Sequence, residues 1–199
     1  MKKLTFMAVV VITAGLANAN ILVPNGDFET PGGVSWEVAG TAVSGFWPNG
    51  GPDGTGDGCA TLDSRFGAWG VLVSNGGAPL ELSYFGLGLA PGDTITVEMD
   101  LKSFYDVPGT GGLKMESWTA GGVISDSGDM NKAITTSWDT YSWDYTIAAG
   151  ATHLKFVPLS VSGDVIGFDN VVVVPEPASI GLIGLCASGL FFTRRFFRV

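Results

Sequence analysis

The chain of 199 residues carries ten Lys and Arg against nineteen Asp and Glu, a formal charge of −9, and half of the cations (Lys2, Lys3, Arg194, Arg195, Arg198) stand at its two ends. Residues 20–177 therefore hold five cations against nineteen carboxylates, a balance of −14 that excludes nucleic acid and anionic lipid as natural partners and suits divalent cations or plain solubility. Cys59 is alone in this stretch and Cys186 lies far beyond it, which excludes a disulfide framework; about 155 residues bury a core without one.

Residues 1–19 read as a secretory signal peptide. Met1-Lys2-Lys3 is a basic start, 6–16 is an apolar run, and Ala17-Asn18-Ala19 has the small-x-small form after which signal peptidase cuts, so a mature chain is expected to begin at Asn20. Further on, Asn25-Gly26 marks a tight turn with positive φ, Asp27 is placed to bond that turn's backbone, and Phe28 is a core candidate. The glycine-rich stretch 48–58 reads as a long ordered loop tied locally through Asp53 and Asp57. Cys59, just after it, reads as a small buried apolar residue.

The middle of the chain has the texture of an all-β fold. β-Branched and aromatic runs at 41–46, 69–74, 93–103, 113–118, 141–145, 153–159 and 165–174 are separated by Gly, Pro, Asp and Asn. In 93–103, Ile95, Val97, Met99 and Leu101 alternate with Thr96, Glu98, Asp100 and Lys102, which gives one buried and one wetted face. Pro91-Gly92 ahead of it fits a type II turn. No stretch before Pro175 has sustained helical periodicity. Eight to ten strands around one core predict a two-sheet antiparallel β-sandwich over residues 20–174.

Pro175-Glu176-Pro177 closes that body, because prolines flanking a glutamate neither continue a strand nor enter a helix interior. An apolar run over 180–192 and the pair Arg194-Arg195 follow. The 16 residues of 178–193 are short against the roughly 20 of a membrane-spanning helix, although Phe196 and Phe197 can extend them, and the arginines would stay on the cytoplasmic side. A plain C-terminal transmembrane anchor would satisfy this physics. The full order of box, apolar run and Arg pair over 175–199 resembles the bacterial PEP-CTERM sorting signal. That resemblance implies export, transient residence in the inner membrane and processing by an exosortase-type membrane enzyme. It further implies a final place at the cell surface or in the extracellular matrix of a bacterium with an outer membrane.

Several phrases upstream share a second resemblance. Leu22-Val23-Pro24-Asn25-Gly26-Asp27-Phe28-Glu29 with Trp36 soon after, Leu89-Ala90-Pro91-Gly92-Asp93-Thr94-Ile95-Thr96-Val97, Trp138-Asp139-Thr140-Tyr141, Leu154-Lys155-Phe156, and Ile166-Gly167-Phe168-Asp169-Asn170-Val171 are similar to the scaffold phrases of carbohydrate-binding modules built on a galactose-binding-like jelly roll. The resemblance implies a structural Ca2+ where the first and last strands meet, carried over to Glu29 and Asp169 with Asp57 from the loop between. Calcium takes six to eight oxygens, which carboxylates and backbone carbonyls together supply. Trp138 reads as a core plug.

For a polysaccharide ligand the sequence offers aromatic residues among charges. Trp118 alternates outward with Lys114 and Glu116, and Phe104 shares a parity with Glu98, Asp100 and Lys102, provided the strand runs that far. Flat rings beside carboxylates and amines suit sugar CH faces and hydroxyls, so Trp118, Glu98, Asp100, Lys102 and Phe104 are the candidate ligand-binding set, with Trp47 and Trp69 in reserve. Catalysis has little to stand on. His153 is a lone strand histidine, no nucleophile motif accompanies it, and pairs such as Glu98 with Asp100 are expected by chance among nineteen carboxylates. The expectation is a non-catalytic adhesive module, with a purely structural matrix protein as the alternative and a glycan hydrolase or lyase behind both.

Overall fold

The computed structural model describes residues 21–30, 35–40, 43–63, 70–74, 77–105, 108–162 and 165–175. The signal peptide with Ala17 and Ala19, and the tail with Glu176, Pro177, the apolar run, Arg194 and Arg195, lie outside these residues. The strands in chain order are β1 (Ile21–Leu22), β2 (Trp36–Gly40), β3 (Val43–Trp47), β4 (Cys59–Asp63), β5 (Gly70–Ser74), β6 (Leu80–Glu81), β7 (Thr94–Ser103), β8 (Gly109–Thr119), β9 (Gly122–Asp126), β10 (Met130–Ile134), β11 (Asp139–Thr146), β12 (His153–Ser162) and β13 (Val165–Pro175). A 3-10 turn spans Leu82–Phe85, and no α-helix occurs among the described residues.

Antiparallel pairing sorts the strands into two sheets. The first has the order β11-β7-β13-β4-β3, with β1 also on β13; the second has β10-β8-β12-β5-β2, with β6 on β12 and β9 on β8. The expected all-β sandwich is present, with more strands than the texture suggested. The stretch around residues 36–47 is two strands in different sheets, and the runs at 122–126 and 130–134 pair with β8 although neither alternates clearly in hydropathy.

The core lies between the inner faces. From β7 come Ile95, Val97, Met99 and Leu101, all fully buried, as the alternation predicts. Leu113 and Met115 of β8, Leu154 and Phe156 of β12, and Ile166, Phe168 and Val173 of β13 meet them. Ser117 and Tyr145 join the sheets through a buried 2.7 Å hydrogen bond. The opening segment is held onto the core by Phe28, which is buried against Trp36 at 5.1 Å, while the Trp36 indole donates to the Asn25 carbonyl at 2.8 Å.

Two turn expectations resolve differently. Gly92 has φ +96°, and Asp93 N–H returns to the Ala90 carbonyl, as a type II turn requires. At Asn25-Gly26 it is Asn25 that takes the positive φ, 51°, whereas Gly26 is small because a Cβ there would press on the carbonyls of Val171 and Val23.

In β13 the pairing with β7 shifts between Asp169 and Val172, a β-bulge with Asn170 at φ +51°. The extra residue moves the inward parity from Ile166 and Phe168 to Val171 and Val173, so both halves of the strand still feed the core. Asn tolerates the left-handed region better than most residues. The bulge falls beside Asp169, which sits on the outer side of the first sheet.

Candidate functional site

The outer side of the first sheet carries a group of carboxylates covered by the 48–58 loop. Asp169 pairs across the ladder with Asp100 of β7, and the loop brings Asp57 over both. A Cβ at Gly51 would strike the carboxylates of Asp57 and Asp169, so the glycine lets the loop backbone close over them. The loop is tied as the sequence suggests: Asp57 Oδ2 accepts from Asp53 N–H at 2.6 Å, and Gly51 N–H donates to the Asp57 carbonyl at 3.1 Å. Glu29 reaches in from the opening segment, its Oε1 accepting from Gly58 N–H at 2.6 Å.

Asp169 is the unusual member. It is wholly buried; Oδ1 accepts from the adjacent Asn170 N–H at 2.7 Å, and Oδ2 has no hydrogen-bond partner. Burial first, then the charges of Asp57, Asp100 and Glu29, push its pKa up to about 8, against the pull of the Asn170 N–H. Asp57 is also raised, by burial and by the Glu29 carboxyl, with the Asp53 N–H opposing. Asp100 differs, since both of its oxygens are occupied, by Thr140 Oγ1 at 2.5 Å and Asn170 Nδ2 at 2.9 Å. Among the described residues no three Asp, Glu, His or Cys side chains stand as a ready-made cage for a metal ion. Any cation here would have to draw on backbone oxygens as well. Cys59 lies beneath the loop, buried as expected, its thiol pushed up to about 12 by burial and by Asp169 and Asp57.

Beside the carboxylates the same outer side holds an aromatic stack. Phe104 lies 4.6 Å from Trp47 and 5.9 Å from Trp138, the latter edge-on, and Lys102 Nζ is 5.0 Å from the Phe104 centroid. Phe104 and Trp138 rest on Gly167, where any Cβ would collide with both rings. The Trp138 indole donates to the Gly50 carbonyl at 3.1 Å, which fastens the loop to the sheet. Trp138 is thus a plug, on the outer side of the sheet rather than in the central core. Strand β7 ends at Ser103, so the strand that was to carry Phe104 outward stops one residue short of it, and the ring turns into this stack.

The five candidate ligand residues are not brought together. Glu98, Asp100 and Lys102 face outward on β7 in the first sheet, whereas Trp118 faces outward on β8 in the second. Around Trp118 a different set assembles. Its indole N–H donates to Glu116 Oε2 at 2.9 Å, Lys155 Nζ sits 5.0 Å from its ring, and Lys114 pairs with Glu116 at 2.8 Å. His153 is its direct cross-strand neighbour, with Nδ1 2.7 Å from Thr152 Oγ1. Lys155 and His153 escaped the sequence reading because only the β8–β12 register, not alternation, places them beside Trp118. The one available signal, outward parity of His153 and Lys155 within 153–159, carries no information about the partner strand.

Residues 173–195 match the family described as the PEP-CTERM protein-sorting motif. The chain carries a PEP-CTERM sorting signal. No curated protein matches it. Among solved structures, the C-terminal family 22 carbohydrate-binding module of Clostridium thermocellum Xyn10B is similar at 16% identity and TM-score 0.56, over 80% of this chain and 96% of that one. A CBM61 domain, TmCBM61, solved with β-1,4-galactotriose is similar at 14% and 0.52, over 78% and 99%. The enzymatically active domain of bacteriophage CBA120 tailspike protein 4 aligns at 16% and 0.56 over 75% of this chain. The chain spans only 20% of that structure, and 28% of the CBM22-1–GH10 modules of the Clostridium thermocellum xylanase. The likeness establishes the jelly-roll fold of carbohydrate-binding modules for this PEP-CTERM chain.

Proposed function

We propose that this exported protein is a non-catalytic polysaccharide-binding module, placed by its sorting signal at the cell surface or in the extracellular matrix after exosortase processing. The observation that carries the proposal is the array around Trp118. A half-buried ring is held from two sides by Glu116 and Lys155, with Lys114 and His153 alongside, on the outer face of a sheet. A sugar stacks its CH face on such a ring and exchanges hydroxyl hydrogen bonds with the surrounding carboxylate and ammonium groups. Non-catalytic work fits the carboxylates too: Asp100, one half of the pair with Glu98, spends both oxygens on Thr140 and Asn170.

The unpartnered, wholly buried Asp169 Oδ2 and the cradle left by Gly51 fit a structural Ca2+. Asp169, Asp57 and Glu29 would hold it with backbone oxygens, neutralising charges that otherwise repel, and fasten the 48–58 loop. The rival reading, a matrix protein that binds nothing specific, draws on the fact that the Trp118 N–H is already occupied within the sheet. The test is binding of the full chain, in a detergent without sugar groups, to plant, algal and bacterial polysaccharides. Saturable binding that weakens at least tenfold in Trp118→Ala supports the module at this face; equal binding by that variant removes Trp118 from the site, and no binding by the parent leaves the structural reading.

A further inference from the structure

We propose a second sugar site, distinct from the Trp118 array, in the pocket between the opening segment and the start of the 48–58 loop, which takes one terminal neutral pyranose of a glycan. The pocket is lined by Phe28, Glu29, Phe46, Trp47, Pro48 and the backbone of Gly56 and Gly58, and has a volume of about 290 Å³. This is the low end of the roughly 300 to 1,000 Å³ of small-molecule sites. It has room for one six-membered ring and its substituents, which suits a chain end better than a run of linked rings.

The walls supply the two kinds of contact that a pyranose needs. Phe28, Phe46 and Trp47 give apolar surface for ring CH groups, and Trp47 is 38% exposed, the one tryptophan that the fold leaves so open among the described residues. Its indole N–H makes no hydrogen bond, unlike those of Trp36, Trp118, Trp138 and Trp143, each of which has a protein acceptor. The ring lines the pocket while its Nε1 lies over the strand backbone at Gly45, so the donor is left to solvent or to a ligand hydroxyl that reaches it. Glu29, held in place by Gly58 N–H at Oε1, supplies an acceptor in the calcium-free protein.

The ring is also rigidly placed. Trp47 packs at 4.6 Å on Phe104, which rests in turn on Gly167 and Trp138, so the platform loses little freedom when a ligand arrives. Phe28 holds φ +49°, a left-handed conformation that costs a non-glycine residue free energy, and it does so at the pocket wall with its carbonyl pressed against Gly58. Without Ca2+, with Glu29 in the wall and Asp57 hydrogen-bonded to it, the pocket is negative. A uronic acid is therefore repelled, and a neutral sugar is the occupant. Trp47 ends β3 at the margin of the first sheet while Trp118 lies on the second, so one domain would hold a chain end at one site and a chain interior at the other.

The experiment is saturation-transfer NMR on the full chain in a sugar-free detergent, titrated with the methyl pyranosides of glucose, galactose, mannose, xylose and glucuronic acid. Saturable millimolar binding of at least one neutral glycoside is expected. It should weaken tenfold or more in Trp47→Ala and persist in Trp118→Ala, and the glucuronide should fail to bind. Should Trp47→Ala misfold, Trp47→Phe keeps a ring against Phe104, loses the indole N–H and is expected to weaken binding several-fold. No binding by any neutral glycoside, or binding unchanged in the Trp47 variants, overturns the second site. Loss in Trp118→Ala instead assigns the sugar to the first site alone.

Discussion

The outer sides of the two sheets use the same residue types to opposite ends. On the first, Phe104, Trp138 and Lys102 are spent on one another and on the loop, over a glycine that leaves no room for anything else. On the second, Trp118, Glu116 and Lys155 touch one another but no overlying loop anchor among the described residues. Aromatic and charged residues on a wet strand face therefore do not by themselves distinguish scaffold from site. What distinguishes them is whether a covering segment is fastened to the ring, as Gly50 is to Trp138.

The largest expected effect breaks that comparison at its structural end. Trp138→Ala removes a ring from the Phe104 and Gly167 stack and frees the Gly50 carbonyl, and should cost about 3 kcal/mol in chemical unfolding. Trp118→Ala, half-buried and without a loop to release, should cost no more than about 1 kcal/mol. Equal costs would mean that both faces are scaffold.

The carboxylates give the next effect, and its sign follows from the direction of the Asp169 shift. An acid whose folded pKa is raised to about 8 binds its proton more tightly folded than unfolded, where it titrates near its ordinary value of 3.8. Its contribution is fully present below that value and is lost as pH rises through about 8, so metal-free stability should decline across pH 4 to 8 and flatten above. Asp169→Asn should remove the decline and raise metal-free stability at pH 8 by about 1 to 3 kcal/mol. Calcium at about a hundred times its Kd should stabilise the parent by about 2.7 kcal/mol and the Asn variant much less. Melting followed with chelator and with calcium reads all three, and a parent indifferent to calcium would leave Asp169 as a buried neutral acid.

The limits of the sequence reading have physical causes at particular residues. Ile95, Val97, Met99 and Leu101 were legible because a strand with one buried face must alternate. Alternation assigns a face, not a sheet, so it set Trp118 beside residues that stand on the other sheet. Strand β8 follows β7 in the chain yet pairs with β12, and this long-range register alone brings Lys155 to the ring. Glu29, Asp57 and Asp169 lie near enough to act on one another electrostatically, while the Ca2+ that the carbohydrate-binding resemblance implies for them stands as a proposal. The part played by Asp100 was hidden, because its bonds to Thr140 and Asn170 join three strands. The phrase Asp169-Asn170 announced a turn-tolerant pair, but that the pair forms a bulge inside a strand depends on its neighbours β7 and β4.

The smallest effect sharpens the comparison at its functional end. Lys155 lies over Trp118 with Glu116 directly across the ladder but in no ion pair with it, so its charge contributes chiefly through the ring, about 0.5 to 1 kcal/mol at a site open to solvent. Lys155→Met keeps a long apolar stem on the ring and removes the ammonium. Stability should fall by that amount or less. If the ammonium serves the ligand by donating to sugar hydroxyls, polysaccharide binding should weaken by several-fold, more than the stability change explains. If its task is only to hold the ring still, the Met stem should hold it as well and binding should stay unchanged. The ratio of the two losses, measured on one protein at one pH and salt, thus separates a ring-bound lysine that works for the fold from one that works for the ligand.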